Sequence, residues 1–456
     1  MVQQKKLNEI PAVRWSVLAI VSFTMLGGYI ITDVMAPLKP VLERELSWTS
    51  TEYGLFSGAF SWFNVFFLMI IFGGILLDKA GIRFTGMASC LVMLIGGAIK
   101  YAAIKGIIPA EGDLFGINKQ VLLASLGFAI FGVGCETVNI TATKIAVKWF
   151  KGKELALALG LQVAAARLGT MLAMAFSLPV AEYFGIPGDT AESFPLLLSL
   201  FILCIGTMGF FLYTFYDRML DKENGSSNET KADVFKYSDI LHVLKNPGFW
   251  IITILCVFFY TAVFPFLKYA PDLMINKYGV KESLAGFIPA LLPIGTLIMT
   301  PLFGSIYDRR GYGAEIMVIG AFILMTVHIF FALPVLNYWW FAMLLMILLG
   351  VAVSLLPSAM WPSIPKIVAE KDLGTAYAIT FWIQNWGLMG GPVLIGWLLN
   401  KYCVTGIVGD TVAYDYTLPM QVFAAIGMVA LSFAFILRYV NKKKGYGLEQ
   451  PNMKKK

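Results

Sequence analysis

The sequence predicts an all-α membrane protein: twelve transmembrane helices in two pseudo-symmetric six-helix bundles, with both termini cytoplasmic. Three observations predict it. Of 456 residues, 58% are hydrophobic and 14% charged, and the mean hydropathy is +0.74; a water-soluble chain of this length needs far more polar surface. About 12 apolar runs of roughly 20 residues or more, each long enough to cross a bilayer, follow one another. A charged pattern occurs twice, as Gly74-Ile-Leu-Leu-Asp78-Lys79-Ala-Gly81-Ile-Arg83 and as Gly304-Ser-Ile-Tyr-Asp308-Arg309-Arg-Gly311, and 308 − 78 = 230 positions separate its aspartates, close to half the chain.

The apolar runs lie near 15–36, 52–77, 84–104, 120–147, 154–179, 193–215, 248–270, 283–307, 313–335, 338–361, 372–399 and 418–440. Helices satisfy every backbone group inside a bilayer without leaving an edge, and the apolar periodicity never drops to two. The first run, from Trp15, is long enough to span and has no small-residue cleavage site, so it reads as a helix and not as a signal peptide. The 43 glycines suit close packing between helices in lipid. The five cysteines (Cys90, Cys135, Cys204, Cys256, Cys403) share no ligand spacing, so neither a disulfide framework nor a metal site is expected, and no cofactor is implied.

Orientation follows from Lys and Arg. Roughly 24 basic residues fall in loops and tails on the side of the termini and roughly 7 on the other, which places the termini inside. The net charge of +7 is therefore topology, not the mark of a nucleic-acid or other anionic partner. One long polar stretch interrupts the spans, residues 216–247. It contains Glu223-Asn-Gly-Ser-Ser-Asn-Glu-Thr, of flexible composition, and then Val234, Ile240, Leu241 and Leu244 at helical spacing, expected for a helix on the membrane surface. The Asn224 and Asn228 sequons lie on the cytoplasmic side and read as chance. The expected domains are residues 1–215, a linker at 216–247, a second bundle at 248–441 and a basic tail at 442–456.

The halves match beyond the doubled charged turn. Ala36-Pro37 ends span one and Ala270-Pro271 ends span seven; Glu52 opens span two and Glu282 span eight; Lys153-Glu154-Leu155 opens span five and Lys371-Asp372-Leu373 span eleven. In the last register Arg167-Leu-Gly169 falls on Asn385-Trp-Gly387. Repeats of this kind place a substrate site between the halves near the bilayer midplane.

Two matching turns of Asp78, Lys79 and Arg83, and of Asp308 and Arg309, at helix ends predict charge-assisted latches on the cytoplasmic face, a cytoplasmic gate. Single turns of this kind would be ordinary loop charge; two at equivalent places favour a functional role. Ionisable groups inside spans are costly and mark sites. Glu136 in Gly132-Val-Gly-Cys-Glu136-Thr-Val-Asn139 and Arg167 in Val163-Ala-Ala-Ala-Arg167 each lie about 15 residues, roughly 22 Å, from the turn near Lys151, hence at equal depth. An anion and a cation at one depth suit a zwitterionic substrate; the alternative is a structural bridge between the two. Asn139, Gln162, Trp382, Gln384 and Asn385 are the expected polar and aromatic companions. Asp33 and Lys268 lie about 18 and 20 residues into corresponding helices, as a possible outer gate pair or as interfacial side chains. His328 reads as a satisfied structural histidine, and Trp339, Trp340 and Trp361 as interfacial anchors.

These paired Gly-x-x-x-Asp-[Lys/Arg]-x-Gly loops resemble the signature of the major facilitator superfamily, and the resemblance covers all twelve spans. Lys148-Trp-Phe-Lys-Gly-Lys-Glu-Leu155, Gly160-Leu-Gln, Ala166-Arg-Leu-Gly169, Trp361-Pro362 and Ile383-Gln-Asn385 are similar to the branch that contains a lysosomal dipeptide transporter. The resemblance implies that a span-four glutamate and a span-five arginine, Glu136 and Arg167 here, bind the amino and carboxyl ends of a dipeptide. No acidic-dileucine sorting signal precedes span one, so a bacterial inner membrane and a lysosomal membrane are both expected residences. The expected function is secondary transport of small zwitterions by alternating access, by a monomer without cofactor; a carrier of small organic anions is the alternative. An intramembrane enzyme finds no support, because neither His-Glu-x-x-His nor Gly-x-Ser-x-Gly occurs.

Overall fold

Apolar runs in a bilayer have no hydrogen-bond partner except their own preceding turn, and helices form at each of them. The computed structural model describes residues 7–150, 153–184, 193–224, 237–369 and 372–452. Lys151, the sequon at Asn228, Val234, Lys371 and the last three lysines lie outside the described residues. The helices are α1 (Pro11–Asp33), α2 (Lys39–Leu46), α3 (Ser50–Gly58), α4 (Trp62–Phe66), α5 (Met69–Ile104), α6 (Lys119–Phe150), α7 (Leu155–Phe184), α8 (Ser193–Asn224), α9 (Tyr237–Leu244), α10 (Pro247–Tyr278), α11 (Phe287–Arg310), α12 (Gly313–Ala332), α13 (Trp339–Ile367), α14 (Leu373–Tyr402) and α15 (Thr417–Lys444).

Among the described residues, 10 helices are long and apolar enough to cross a membrane. One of them, α5, is two helices joined at Gly81, whose φ of 77° and ψ of 171° turn the chain back. The second copy of the charged turn repeats the device: Gly311 has φ 77°. That conformation suits a residue without Cβ, which explains the glycine in both copies. Helix α14 has spanning length, but its Trp, Gln and Asn residues dilute its apolar character below that of the 10.

Two features depart from the sequence reading. The expected span at 52–77 is not one helix: α3 passes through a 3-10 turn at Ala59–Ser61 into α4, and the chain then breaks at Leu68, with φ 55°, before α5 begins. Period-two structure also occurs. Strands β1 (Asp113–Leu114) and β2 (Ile117–Asn118) pair antiparallel, as do β3 (Val404–Val408) and β4 (Thr411–Tyr414). The second hairpin turns at Gly409-Asp410 between β-branched runs, a local turn signal too short to register against helices of about 30 residues.

The two sets of helices make equivalent contacts. In the first, α1 packs on α7 and α8, and α5 on α6 and α8; in the second, α10 packs on α14 and α15, and α12 on α13 and α15. The sets meet where α3 lies on α14 and α7 on α11, which are matching pairs of the repeat. These seams are close. A Cβ at Gly54 would sit 2.5 Å from the Pro392 oxygen, and one at Gly286 would sit 1.9 Å from the Met174 oxygen. Gly286→Val is therefore expected to lower the thermal midpoint of the detergent-purified protein, since overpacking costs about 1–3 kcal/mol; an unchanged midpoint would show that the seam yields without cost.

Candidate functional site

Helix α6 carries Glu136, Asn139 and Thr143 at i, i+3 and i+7, one face of the helix. Asn139 donates from Nδ2 to the Tyr29 hydroxyl of α1 at 3.4 Å. Helix α7 packs beside α6 and brings Arg167 in from the other side. The Arg167 guanidinium lies 5.5 Å from the ring centroid of Phe264 on α10. It therefore points across the seam, from the first set of helices toward the second. Both Glu136 and Arg167 are half-buried, and no hydrogen bond or ion pair joins either one to another protein group among the described residues. The bridge weighed in the sequence analysis does not form.

The wall facing Arg167 is aromatic. Tyr260 stacks on Phe264 at 5.4 Å, and Trp361 donates from Nε1 to the Tyr260 hydroxyl at 3.1 Å. Trp361 also stacks on Phe381 at 4.8 Å and accepts at its carbonyl from the Tyr377 hydroxyl. The sequence analysis placed Trp361 as an interfacial anchor; the structure sets it inside, because its position along α13 faces α10 and α14. Trp339 and Trp340 are exposed, at 57% and 51%, as anchors at a bilayer surface are.

The remaining companions are placed differently from one another. Gln162 is buried and donates to Thr143 Oγ1 at 3.3 Å, so it faces α6. Gln384 is buried and accepts from the Cys256 thiol at 3.6 Å; Asn385 is 2% exposed and donates to its own helix at Phe381. The Gln384 amide is thus turned into the α10–α14 contact, and the Asn385 amide is held against its own helix. Trp382 crosses the seam and donates from Nε1 to the Val65 carbonyl at 2.9 Å. That carbonyl lies in α4, just before the break at Leu68. His328 is fully buried, with Nε2 2.9 Å from the Ala262 oxygen.

The charged turns pair within their own sets. Asp78 binds Lys144 at 3.0 Å, and Arg83 binds Asp217 and Asp221 at 3.3 and 2.6 Å. Asp308 accepts from Asn452 of the tail at 2.8 Å. Lys79 and Arg309 are exposed. On the opposite, distal face the pattern reverses, and ion pairs cross between the sets. Lys268 meets Asp33 at 2.6 Å, and the Thr170 hydroxyl donates to the same carboxylate at 2.8 Å. Lys39 meets Asp272 at 2.7 Å, Arg44 meets Glu282 at 3.3 Å and Lys281 meets Glu182 at 3.6 Å.

The sequence analysis missed Lys39 and Asp272, although a signal existed. Span one carries Asp33 before Pro37 and Lys39 after it; span seven carries Lys268 before Pro271 and Asp272 after it. The repeats hold opposite charges in the same order, so two-fold packing brings each beside its complement. A cavity of about 670 Å³ lined by Met171, Phe176, Phe287, Leu291 and Trp339, between α7, α11 and α13, touches none of the expected site residues.

The family described as Major Facilitator Superfamily matches residues 18–336 and 269–452. The lysosomal dipeptide transporter MFSD1 of Bos taurus is 31% identical over 398 residues, covering 85% of this chain and 80% of that protein. The Homo sapiens protein of that name is 31% identical over 399 residues, with the same coverage. Among solved structures, a bacterial homolog of the human lysosomal transporter Spinster, in an inward-facing and occupied conformation, superposes with a TM-score of 0.66 at 14% identity. That alignment covers 94% of this chain and 98% of the other.

Proposed function

The chain belongs to the major facilitator superfamily, in the MFSD1 branch, and we propose that it carries dipeptides by alternating access. It is a multi-pass membrane protein and a secondary transporter, not an enzyme. Counting α5 as two spans and α14 as one gives twelve spans, in bundles at 1–215 and 248–441 joined by the 216–247 linker. The Lys and Arg excess in loops and tails on the latch side places both termini, and the basic 442–456 tail, in the cytoplasm. The working unit is a monomer, in a lysosomal membrane or a bacterial inner membrane.

One observation carries the substrate reading. Glu136 and Arg167 stand on adjacent helices, half-buried, and no hydrogen bond or ion pair joins either to another group among the described residues. Charges held in a membrane interior without partners are expensive, and a ligand that supplies the missing partners offsets that cost. A dipeptide zwitterion supplies both: its carboxylate takes the guanidinium fork and its ammonium takes Glu136. Asn139 lies one turn from Glu136 and borders the same ligand, Trp382 closes the site from the second bundle, and Gln162, Gln384 and Asn385 brace its walls from behind. Counterflow in proteoliposomes tests the reading: preloaded unlabelled dipeptide accelerates entry of labelled dipeptide, which is recovered intact. Counterflow with organic anions alone would reassign the substrate class.

The cross-bundle ion pairs on the distal face, and latches that pair within their own bundles among the described residues, support the reading of a carrier open to the cytoplasm. In the alternate state the distal pairs part and the latches at Asp78, Lys79, Arg83, Asp308 and Arg309 clasp across the bundles. Asp78→Asn with Asp308→Asn is expected to slow uptake by about tenfold, for charge-assisted contacts worth about 1.5–3 kcal/mol, while dipeptide still raises the thermal midpoint. Unchanged initial rates would remove the latches from the cycle.

A further inference from the structure

Beside the Lys39–Asp272 pair the distal face holds a second carboxylate, Glu43, that the transport reading does not use. Lys39, fully buried, stands between two carboxylates: Glu43 Oε1 at 2.9 Å and Asp272 Oδ2 at 2.7 Å. Asp272 also accepts from the Tyr416 hydroxyl and, at 2.9 Å, from Asn276 Nδ2. Glu43 accepts from the Tyr414 hydroxyl at 3.0 Å, and the Lys39 ammonium lies 4.3 Å over the Tyr414 ring. Lys39 and Glu43 belong to α2 of the first bundle; Asp272, Tyr414 and Tyr416 belong to α10, to β4 and to the chain before α15, all in the second. The cluster therefore exists only while the distal seam is closed.

Its charges do not balance. The side chains of Glu43 and Asp272 are 4% and 3% exposed, so two carboxylates share one ammonium out of water. Asp272 has three donors and is well supported as an anion, whereas Glu43 has the shared ammonium and one phenol. A buried excess charge is costly, and taking up a proton removes it. We propose that Glu43, in this cluster, is a proton-binding site whose occupancy favours closure of the distal gate.

The titration of the neighbours agrees. Burial pushes the Glu43 carboxyl above the ordinary carboxylate range, against the pull of Lys39 and with the help of the Asp272 charge. Burial also opposes charge on Lys39, but Asp272 and Glu43 outweigh it and lift the ammonium above the usual lysine range. Lys39 acts on Glu43 from its own helix, and Asp272 and Tyr414 act from the second bundle, while the phenols of Tyr416, Tyr269 and Tyr53 face the same charge. Once the seam opens, Glu43 meets water and returns toward its ordinary value. The closed state thus binds the proton more tightly. Closure is fully favoured below the ordinary value and weakens as pH rises toward the raised one, by at most tenfold in the closed-to-open ratio per pH unit for a single proton.

The inference rests on the rocking of the bundles proposed above, but not on the substrate. Spin labels at Phe115→Cys and Ile407→Cys, exposed distal positions on opposite bundles, report the seam in full-length protein in liposomes, with the exposed Cys204 replaced by Ser. The short-distance population is expected to fall as pH rises from acidic to alkaline. Glu43→Gln is expected to hold it high at every pH, because the neutral amide mimics the protonated acid. Tyr414→Phe removes a donor to the carboxylate and is expected to move the midpoint to higher pH. A wild-type distance that does not respond to pH, a pH response that survives Glu43→Gln, or an unmoved Tyr414→Phe midpoint would overturn the site. Asp33→Lys separates the two failures. It breaks the Lys268 pair and widens the distance at every pH if the bundles rock, so widening there beside a pH-insensitive wild type defeats the proton site alone.

Discussion

Arg167→Ala is expected to reduce dipeptide uptake below saturation by about 10- to 100-fold, since a hydrogen-bonded contact to an ionised group is worth about 1.5–3 kcal/mol and each 1.4 kcal/mol is tenfold. Glu136→Gln is expected to do the same to the ammonium end. Both residues are half-buried, and no hydrogen bond or ion pair joins either to another group among the described residues, so neither substitution breaks a structural pair, the folded state survives and the loss is one of binding. Ligand chemistry makes the test sharper than the variants alone. An N-acetylated dipeptide lacks the ammonium, so wild type is expected to lose on it what Glu136→Gln loses on the free dipeptide. The variant then loses little more, a coupling that a double-mutant cycle reads directly. The amidated dipeptide and Arg167→Ala form the matching cycle at the other end. Full transport by both variants would remove the site.

Lys268→Met is the second large effect. Asp33 is 8% exposed, and without the Lys268 ammonium its carboxylate keeps one hydrogen bond among the described residues, from the Thr170 hydroxyl. Leaving one partner of a buried pair behind costs about 3–5 kcal/mol, enough to move a closed distal face toward the open state by about 10²- to 10³-fold. Ser57 is 5% exposed on α3, one turn past Tyr53, which itself donates to the Lys268 carbonyl. A cysteine placed at Ser57 is expected to react slowly with an impermeant thiol reagent from the distal side, and fast once Lys268→Met is added. Adding Asp33→Asn removes the stranded charge and is expected to restore slow labelling. If the double variant stays fast, the pair holds the seam by shape and not by charge.

Much of the architecture was legible in one dimension because its causes are local. A run of about 20 apolar residues must be a helix in lipid whatever surrounds it, and α1, α6, α7, α8, α10 to α13 and α15 lie where such runs lie. The glycines of the charged turns, Gly81 and Gly311, were visible as a repeated spacing, and their shared φ of 77° follows from the same local demand.

The side on which a residue faces was less legible. Gln384 and Asn385 stand in register with Ala166 and Arg167, yet Gln384 turns into the α10–α14 contact, where Cys256 meets it, and Asn385 donates to its own helix. Repeat register sets depth, while small rotations of each helix about its axis set direction. The break at Leu68 left no mark in the hydropathy because the residues around it are as apolar as those of any span. Trp361 resembles an anchor by type and position along its span, and only its neighbours Tyr260, Tyr377 and Phe381 reveal an interior role.

The sequence by itself determined most of the apolar helices and their two-fold repetition, since each depends on composition and spacing over a few turns. The tertiary structure alone decided which charges meet: Asp33 with Lys268 across 235 positions, Lys39 with Asp272 across 233, and the charged turns with partners in their own bundles. An ion pair is a property of distance in space, and two bundles free to tilt can bring the same charges together or part them without changing a single helix.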